Sequence, residues 1–369
     1  MDYPENLKYK IGLSLIPGIG FSLAKNLVAY VGSTEGIFRE KEQNLRKVPG
    51  IGEINARRIT QQNILERAEQ EIEFISKNGI NCFFYLDEGY PKRLRACNDA
   101  PVVLFSKGSV DLNESRVVSM VGTRSATDYG KGLCDTFIKA LSERAYPALV
   151  ISGLAYGIDV AVHKACLKYN VPTVGVLAHG LDRLYPALHK PVAKKMLENG
   201  ALVTDFLSGT DIERQNFLQR NRIIAGMADA VIIVESAEKG GALVTADIAG
   251  SYNRDVCAFP GRTDDTYSRG CNRLIKNNGA TMIESLDDLE LQMGWETKLE
   301  IPTVIQKQLF IELTDEEQKV IDCLREGEQM IDLICKQCEM PVGRASALLL
   351  GLEFKGLVAS LPGKMYRLR

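Results

Sequence analysis

The chain has 369 residues, enough for two or three domains, with 45% hydrophobic and 25% charged residues. Its formal net charge of -2 excludes a generally basic nucleic-acid-binding protein, so any DNA site must be a local patch. The first residues lack a signal-peptide pattern, and no apolar run approaches the ~18 residues of a membrane span, so we expect a cytoplasmic protein without membrane association.

The nine cysteines are scattered and lie mostly inside apolar runs, as do Cys134, Cys166 and Cys323. An odd number without framework spacing favours reduced thiols in a cytosolic protein. Cys335 and Cys338 form the one close pair, without a second such pair or a nearby histidine. We expect them in a plain helix and predict no metal site.

Residues 1–78 are predicted to form a helical domain that contains a repeated phrase. Residues 16–20 and 48–52 both read hydrophobic-Pro-Gly-hydrophobic-Gly, and a helical pattern follows each. The repeat resembles the helix-hairpin-helix motif, in which glycines permit a tight turn and amides at a helix start can hold a phosphate. Residues 1–75 hold ten basic and ten acidic residues, so a compact cap that does not bind DNA is an equally open interpretation.

Residues 79–290 are predicted to form an extended Rossmann-like α/β domain. Residues 80–110 are expected to be a connector, and strand–helix alternation then occupies a core of residues 112–290. Six continuous Val/Ile-rich runs are typical of strands buried on both faces of a parallel sheet. They are VVSMVG, PALVISG, TVGVLAHG, ALVTDF, AVIIVES and VCAFP. Because helical stretches separate them, we expect a doubly wound, mostly parallel sheet.

Residues 291–312 are predicted to be a linker, and residues 313–369 a winged-helix domain. Thr314 and Glu317 predict a capping box at the start of its first helix. Further helical stretches follow, and residues 357–359 and 366–368 predict a hairpin. Eight basic and nine acidic residues argue against a strong DNA reader, so a protein-interaction or dimer-supporting module is at least as well favoured.

Glycine- and arginine-rich turns follow the predicted strands. Ligands of open parallel sheets bind beyond the carboxyl ends of the strands, which is where these turns fall. Glycines let the backbone approach a ligand, turn amides point outward, and arginines supply forked donors for anions. The candidate DNA-binding residues are Gly122, Thr123, Arg124, Ser152, Gly153, Gly157, Phe217, Arg220, Asn221, Arg222, Gly240, Gly241, Thr245, Arg262 and Arg273.

No catalytic set stands out from the sequence. His163, His179 and His189 lack ligand-like spacing, and neither a nucleophile elbow nor a GxxxxGK[ST] phosphate loop is present. Asp159 and Asp205 could act as acids, but at this edge we expect them to cap helices or orient the arginines. A dinucleotide cofactor is disfavoured because no turn matches GxGxxG with a ribose-binding acid, so we expect a protein without cofactors that binds rather than catalyses.

Several long phrases together resemble the DNA processing protein A family, called DprA or Smf. They are VGTRSATDYG, SGLAYGID, HGLDRLYP, RNRIIAG, GGALVTADIA and RGCNRLIKNNGA, with YPKRL and APVVLFSKG further upstream. The resemblance covers nearly the whole chain. It implies an extended Rossmann core that binds single-stranded DNA and forms a homodimer, and delivery of RecA recombinase onto incoming DNA in natural transformation.

The resemblance also implies roles for individual residues. By motif, Gly122 and Arg124 would hold a phosphate, residues 220–222 would contact DNA, and Gly240 and Gly241 would shape the pocket floor. The alternative is a nucleotide-processing enzyme, because the turn at residues 240–245 resembles the phosphate loop of phosphoribohydrolases. Those enzymes place a glutamate soon after the threonine, where this chain has alanine and aspartate. A third interpretation is a scaffold whose helical ends recruit partners.

Overall fold

The computed structural model describes residues 4–60, 64–295 and 313–369. They belong to two compact units, Met1–Leu286 and Asp287–Arg369. Within the described part of the chain, every helix is too short or too polar to traverse a lipid bilayer.

The first unit begins with six helices that form the expected helical domain. They are α1 (Leu7–Leu15), α2 (Phe21–Val31), α3 (Thr34–Arg39), α4 (Glu42–Leu45), α5 (Glu53–Thr60) and α6 (Ile64–Asn78). The helices predicted after the two hairpin phrases are confirmed. Helix α2 buries Ala24 and Leu27, and α5 buries Ala56 and Ile59 at the corresponding positions.

The two hairpins of this domain are joined by hydrogen bonds. The glycine after each hairpin proline is left-handed, with φ of 82° and 81°, a conformation that favours glycine. The Asn26 amide donates to the Pro49 carbonyl, and the Arg58 guanidinium donates to the Pro17 carbonyl, both at 3.1 Å. Asn26 and Arg58 lie at matching positions, nine residues after their own proline. The repeat in sequence therefore produces a reciprocal contact in space.

A nine-stranded sheet forms the centre of the first unit. Its strands are β1 (Asn81–Phe84), β2 (Val103–Gly108), β3 (Val117–Val121), β4 (Leu149–Ser152), β5 (Thr173–Val176), β6 (Gly200–Thr204), β7 (Ala230–Ile233), β8 (Asp255–Ala258) and β9 (Thr281–Met282). The spatial order is β1-β2-β6-β5-β4-β3-β7-β8-β9. All pairs from β6 to β9 are parallel, so the six predicted strands, β3 to β8, and their mostly parallel arrangement are confirmed.

Residues 80–110 differ from the expected connector. They contain β1 and β2, which extend the sheet by an antiparallel pair, with Phe105 opposite Thr204 on β6. Because β6 lies far downstream in sequence, no local pattern around residues 80–110 indicates this pairing. The apolar run that begins at Ala100 is therefore a buried strand rather than a surface link.

Seven further helices accompany the sheet. They are α7 (Lys92–Arg95), α8 (Asp128–Ser142), α9 (Ile158–Lys168), α10 (Lys190–Met196), α11 (Arg214–Met227), α12 (Gly241–Ser251) and α13 (Arg269–Lys276), and α14 (Leu286–Met293) begins where the first unit ends. Both α9 and α11 contact β3, β4 and β5, so they must lie on opposite faces of the sheet. The strand order runs outward from β3 to β6 and then returns to place β7 beside β3. This reversal makes the β3–β7 boundary the topological switch point, where open α/β sheets bind ligands.

The second unit contains the predicted winged helix. Its elements are α15 (Asp315–Leu324), β10 (Gln329–Met330), α16 (Ile331–Gln337), α17 (Val342–Phe354), β11 (Val358–Leu361) and β12 (Met365–Leu368). The capping box is confirmed, because Thr314 and Glu317 exchange side-chain-to-backbone hydrogen bonds. Strands β11 and β12 form the predicted hairpin. Of the predicted linker, residues 296–312 lie outside the described residues, and residues 291–293 belong to α14.

One buried histidine ties α9 to the sheet. His163 is fully buried, and its Nδ1 lies 2.8 Å from the hydroxyl of Thr173, which itself donates to the Val150 carbonyl. The imidazole therefore donates through Nδ1, while Nε2 is buried without a hydrogen-bond partner. Burial, reinforced by the nearby positive charge of Arg220, lowers the pKa of His163 to about 3, so the ring is neutral in the folded chain.

We predict that His163 makes the first unit less stable in mild acid. An unfolded histidine takes up a proton below about pH 6.5, whereas folded His163 does not until near pH 3, so the free energy of unfolding falls as pH drops between these values. Urea unfolding followed by circular dichroism should show a loss of about 2 kcal/mol between pH 7 and pH 5 that is absent from His163→Gln. Identical pH dependence in the two proteins would show that His163 is not the group responsible.

Candidate nucleic-acid interface

The turn after β3 is held between the turns after β4 and β7. The Thr123 amide donates to the Glu235 carbonyl at 2.8 Å, and the Thr123 carbonyl accepts from the Ile158 amide at 3.1 Å. A Cβ on Gly122 would collide with Ile158 and the Glu235 carbonyl, and one on Gly157 would collide with the Thr123 carbonyl. These two glycines are therefore required for the close approach, and the structure brings Gly122, Thr123 and Gly157 together at the switch point.

A buried carboxylate fixes the start of α8 beside the same turn. Glu235 is 1% exposed and accepts hydrogen bonds from the amide and the hydroxyl of Thr127, the N-cap residue of α8. Gly130 leaves the space that this carboxylate occupies. Negative charge at a helix N-terminus is stabilising. Glu235 was not predicted, because its partner lies more than a hundred residues away in sequence.

Arg124 stacks on an aromatic pair at the edge of this turn. Its guanidinium lies over the ring of Phe217, 5.3 Å from the centroid, and Phe217 meets Tyr185 edge-to-face at 6.0 Å. Arg124 is exposed and makes no hydrogen bond or ion pair with any described residue. Phe217 lies in the first turn of α11. The start of this helix therefore places an aromatic ring near the carboxyl end of β3. Tyr185 is exposed and Phe217 is half-buried, and a cation beside these two rings can contact a phosphate and a base together.

Tyr185 is held by a buried histidine and was not among the predicted site residues. His179 is 1% exposed, and its Nε2 accepts from the Tyr185 amide at 3.1 Å while Nδ1 donates to the Gly180 carbonyl. The side chain of Tyr185 remains 44% exposed. His179 therefore stabilises the loop that carries Tyr185. In the sequence, the HGLDRLYP phrase was the signal that could have identified Tyr185 as a site residue.

Arg220 lies beneath the turn that follows β4. Its side chain reaches from α11 against Gly153, whose missing Cβ leaves room for the guanidinium. Arg220 is only 4% exposed, so its side chain lies inside the protein rather than at the surface where the RNR segment was expected to contact DNA. Its Nε and Nη1 have no hydrogen-bond partner. It instead places a positive charge under residues 153–157.

Asp159 provides the opposite charge for Arg220. Burial raises the pKa of this carboxyl group, and the attraction of Arg220 opposes that rise. Burial lowers the pKa of Arg220 to about 10, with Asp159 acting against the shift, so the guanidinium is charged at neutral pH. Asp159 also accepts a long hydrogen bond of 3.4 Å from the Ala155 amide inside the turn. The pair thus couples α9, α11 and the β4 turn.

Arg222 is engaged within the protein. Its guanidinium pairs with the Asp205 carboxylate and donates to the Asp99 carbonyl. The expectation that Asp205 orients an arginine is confirmed. Burial raises the pKa of Asp205 and Arg222 opposes the rise. Arg222 therefore joins α11 to the loops after β6 and α7, while neighbouring Asn221 is half-buried on the same helix.

Two predicted contact residues have side chains inside the protein. Ser152 is fully buried and its hydroxyl donates to the Met120 carbonyl at 2.7 Å. Thr245 is 1% exposed within α12. Neither hydroxyl reaches the surface, so both stabilise the strand end and the helix behind the site.

The turns after β7 and β8 continue the same edge. Gly240 and Gly241 begin α12, and the Gly240 amide closes the turn on the Ala237 carbonyl at 3.0 Å. Helix α13 is attached to this turn, because the Gly270 amide donates to the Ser236 carbonyl at 2.9 Å. These hydrogen bonds fix the amino-terminal end of α12, whose free backbone amides face the carboxyl edge of the sheet.

Arg262 and Arg273 lie at the outer part of this edge. Arg262 is paired with Asp264 at 3.4 Å and Arg273 with Glu238 at 3.8 Å, and all four side chains are exposed. Exposed pairs of this length contribute little and can open to a stronger ligand. Three further exposed cations at the edge, not among the predicted residues, have no ion-pair partner among the described residues. They are Arg214, Lys239 and Arg269.

Glycine turns and guanidinium groups make this edge suited to holding anions. Within the described ranges, no cluster of three histidine, cysteine or acidic side chains could hold a metal ion. Cys335 lies in α16 and Cys338 is the C-cap residue of that helix, so the helix predicted at this pair is confirmed. The site therefore consists of three parts: the joined glycine turns, the Arg124–Phe217–Tyr185 group, and the outer cations.

Comparisons with known proteins agree with this architecture. Residues 81–294 match the family described as DNA recombination-mediator protein A, residues 308–364 match the DprA winged helix domain, and residues 11–62 match a SAM-like helix-hairpin-helix tandem. Protein Smf from Synechocystis is 30% identical over 98% of this chain and 98% of its own length. DNA processing protein DprA from Bacillus subtilis is 36% identical over 58% of this chain and 71% of its own.

Solved structures show the same fold. DNA processing protein A from Streptococcus pneumoniae has a TM-score of 0.62 at 29% identity, covering 79% of this chain and 99% of that one. The Helicobacter pylori protein, described for its single-stranded DNA binding mode, has a TM-score of 0.52 at 24% identity, covering 58% of this chain and 96% of its own. The matches across the Rossmann-like core and both flanking domains show that this chain belongs to the DNA recombination-mediator protein A family, known as DprA or Smf.

Proposed function

We propose that this chain binds single-stranded DNA along the carboxyl edge of its sheet and delivers it to RecA recombinase during DNA uptake and recombination. The observation that carries the proposal is the placement of Arg124 over Phe217, beside Tyr185 and the joined glycine turns. The Helicobacter pylori relative, described for binding single-stranded DNA, shares the fold and supports the assignment.

The preference for single strands follows from the aromatic rings. Phe217 and Tyr185 offer ring surfaces to a base, and a base can stack on them only when it is free of its duplex neighbours. Arg124 and the turn amides would hold the adjoining phosphate. Tyr156, 45% exposed beside the β4 turn, offers a further ring in the same region. Phosphate and base contacts would thus alternate along one strand.

The charge distribution limits how many phosphates the site can neutralise. The whole chain carries a net charge of -2, and the cations without ion-pair partners at this edge are Arg124, Arg214, Lys239 and Arg269 among the described residues. A small set of contacts implies a moderate salt dependence, in which each lost phosphate contact reduces the slope of log affinity against log salt by about 0.7.

We further propose that Arg220 is a positioning residue. Its buried charge lies under residues 153–157 and pairs electrostatically with Asp159, so it fixes the turn that faces the DNA without touching it. Neutralising it would leave Asp159 buried without its counter-charge. A substitution of Arg220 would therefore be a poor test of DNA contact, whereas substitutions of Arg124 and Phe217 would be good tests.

We also propose that the site binds without catalysing. Its buried carboxylates are engaged: Glu235 with Thr127, Asp205 with Arg222, and Asp159 with the charge of Arg220. The aspartate that follows Thr245, where phosphoribohydrolases have a glutamate, is exposed while Thr245 faces inward. We also propose that the chain acts in the cytoplasm, where its nine cysteines would stay reduced.

Replacing Arg124 or Phe217 should weaken binding in different ways. Arg124→Ala should lower affinity for oligothymidine by about ten- to a hundredfold and reduce the salt slope by about 0.7, because one charge-assisted phosphate contact is lost. Phe217→Leu should lower affinity by about tenfold with the slope nearly unchanged, because a stacking contact is lost. Fluorescence anisotropy at two salt concentrations measures both quantities.

The matched control is Lys139→Ala, which also removes one exposed cation. Lys139 lies in the last turn of α8, at the amino edge of the sheet, so its removal should leave affinity unchanged. Unchanged affinity in Arg124→Ala would sink the proposed site. A wild-type preference for duplex over single-stranded oligonucleotide would overturn the proposed function itself.

Incubation with AMP tests the absence of catalysis. Chromatography of the reaction should show no adenine above the level given by buffer, because the buried carboxyl groups of Glu235, Asp205 and Asp159 are engaged by Thr127, Arg222 and the charge of Arg220. Adenine release that disappears in Asp159→Asn would contradict this and assign the chain a phosphoribohydrolase activity.

Deleting residues 313–369 should separate DNA binding from recombinase loading. The proposed interface lies within residues 112–290, so the shortened chain should bind oligothymidine with wild-type affinity and should keep the homodimer that we propose forms through the Rossmann-like domain. RecA filament assembly on coated DNA, followed by ATP hydrolysis, measures loading separately. Loss of DNA affinity on deletion would place part of the interface in the winged helix, against the proposal.

A further inference from the structure

A buried carboxylate of the helical domain holds the loop that joins β6 to α11, residues 205–213. Glu71 of α6 is 2% exposed, whereas the other glutamates of this helix are exposed. Its two carboxylate oxygens lie 3.0 and 3.1 Å from the Ser208 amide, and the Ser208 hydroxyl donates to the same carboxylate at 2.5 Å. A charged group of the helical domain is thus bonded to one residue of the Rossmann-like domain.

Arg67, one turn earlier on α6, completes this junction. Its guanidinium pairs with Glu71 at 2.9 Å and donates to the Ser208 carbonyl at 2.6 Å. The amide, the hydroxyl and the carbonyl of Ser208 are therefore all bonded to α6. Burying a carboxylate is costly unless an opposite charge and hydrogen bonds compensate it, and this junction supplies both. The helical domain therefore fixes the loop at a defined place.

The residue before this junction packs against the turn that leads to Tyr185. A Cβ at position 180 would lie 2.3 Å from the Leu207 carbonyl oxygen, so the two backbones are in direct contact there. The Gly180 carbonyl also accepts the hydrogen bond of His179, whose other ring nitrogen accepts from the Tyr185 amide. The loop therefore borders the group of residues that holds Tyr185 in place.

The same loop leads directly into α11, which carries Phe217 in its first turn. Hydrogen bonds within the segment restrict its backbone. The Thr210 hydroxyl donates to the Leu207 carbonyl at 2.7 Å, and the Asn216 side chain donates to the Asp211 carbonyl at 2.9 Å. The loop is thus tied at one end to the helical domain and at the other to the first turn of α11.

We propose that Glu71 is a positioning residue for single-stranded DNA, because it fixes the loop that borders the supports of both Tyr185 and Phe217. The inference rests on the proposed function and gives the helical domain a part in it. Two rings kept at a centroid separation of 6.0 Å lose little freedom when a base stacks on them. The helical domain then contributes to affinity without contacting DNA, which agrees with its ten basic and ten acidic residues.

Oligothymidine binding by the full chain, measured by fluorescence anisotropy in two backgrounds, tests the proposal. Glu71→Gln should lower affinity by about three- to tenfold, with the slope against salt unchanged because no phosphate contact is lost. In the Phe217→Leu/Tyr185→Leu background, the same substitution should lower affinity by less than about twofold, since the rings that it positions are already absent. An equal loss in both backgrounds would show a general structural effect and would overturn the proposal.

Glu69→Gln is the matched control. It makes the same substitution two residues away on α6, at a side chain that is 57% exposed and pairs with Lys8, so affinity should not change. Ser208→Ala is a second variant that keeps the Arg67–Glu71 pair and removes one hydroxyl donor. It should lower affinity by about two- to threefold, again only when both rings are present.

Circular dichroism and urea unfolding establish that each variant is folded. Wild-type affinity in both Glu71→Gln and Ser208→Ala would overturn the positioning role while leaving the proposed function intact. Failure of the proposed function would appear differently, as unchanged affinity in Arg124→Ala, and would overturn this inference with it.

Discussion

The site depends on the two backbone hydrogen bonds of Thr123. This residue joins the turns after three strands, because its amide bonds to the β7 turn and its carbonyl to the start of α9. The links are possible only because glycine stands at positions 122 and 157, where any Cβ would collide with backbone or packed side chains. Arg124 is the next residue in the chain, so the hydrogen bonds of Thr123 also fix its position over Phe217. A binding group held in this way loses little freedom when it engages a ligand.

Buried charged side chains stabilise the same turns from inside the protein. Arg220 and Asp159 lie under the β4 turn, and Glu235 closes the start of α8 beside the β3 turn. Burying a charge is costly unless an opposite charge or hydrogen bonds compensate it. Three such groups at one edge of the sheet favour a single arrangement of the turns there. Within the RNR segment, Arg220 lies under the β4 turn and Arg222 joins two loops, while the half-buried Phe217, three residues before the segment, packs against Arg124.

The sequence predicted the parts of the fold that local patterns determine. The six Val/Ile-rich runs, the paired hairpin phrases and the capping box at Thr314 each depend on residues close together in the chain, and all were confirmed. The antiparallel pair β1–β2 was missed because its partner strand β6 is remote in sequence. The burial of Arg220 was missed for the same reason, since it depends on Gly153 and Asp159. Tyr185 and Glu235 likewise acquire their places only through contacts between distant turns.

Charge explains how such a chain can act on DNA while carrying a net charge of -2. The helical domain and the winged helix are each close to neutral, so long-range attraction to DNA is weak, and in the proposed site the affinity comes from fixed contacts at one edge of the sheet. A few phosphates per chain give limited affinity. Chains that also associate with one another, even weakly, bind a long strand more tightly than their separate contacts allow, because each bound chain raises the local concentration of the next.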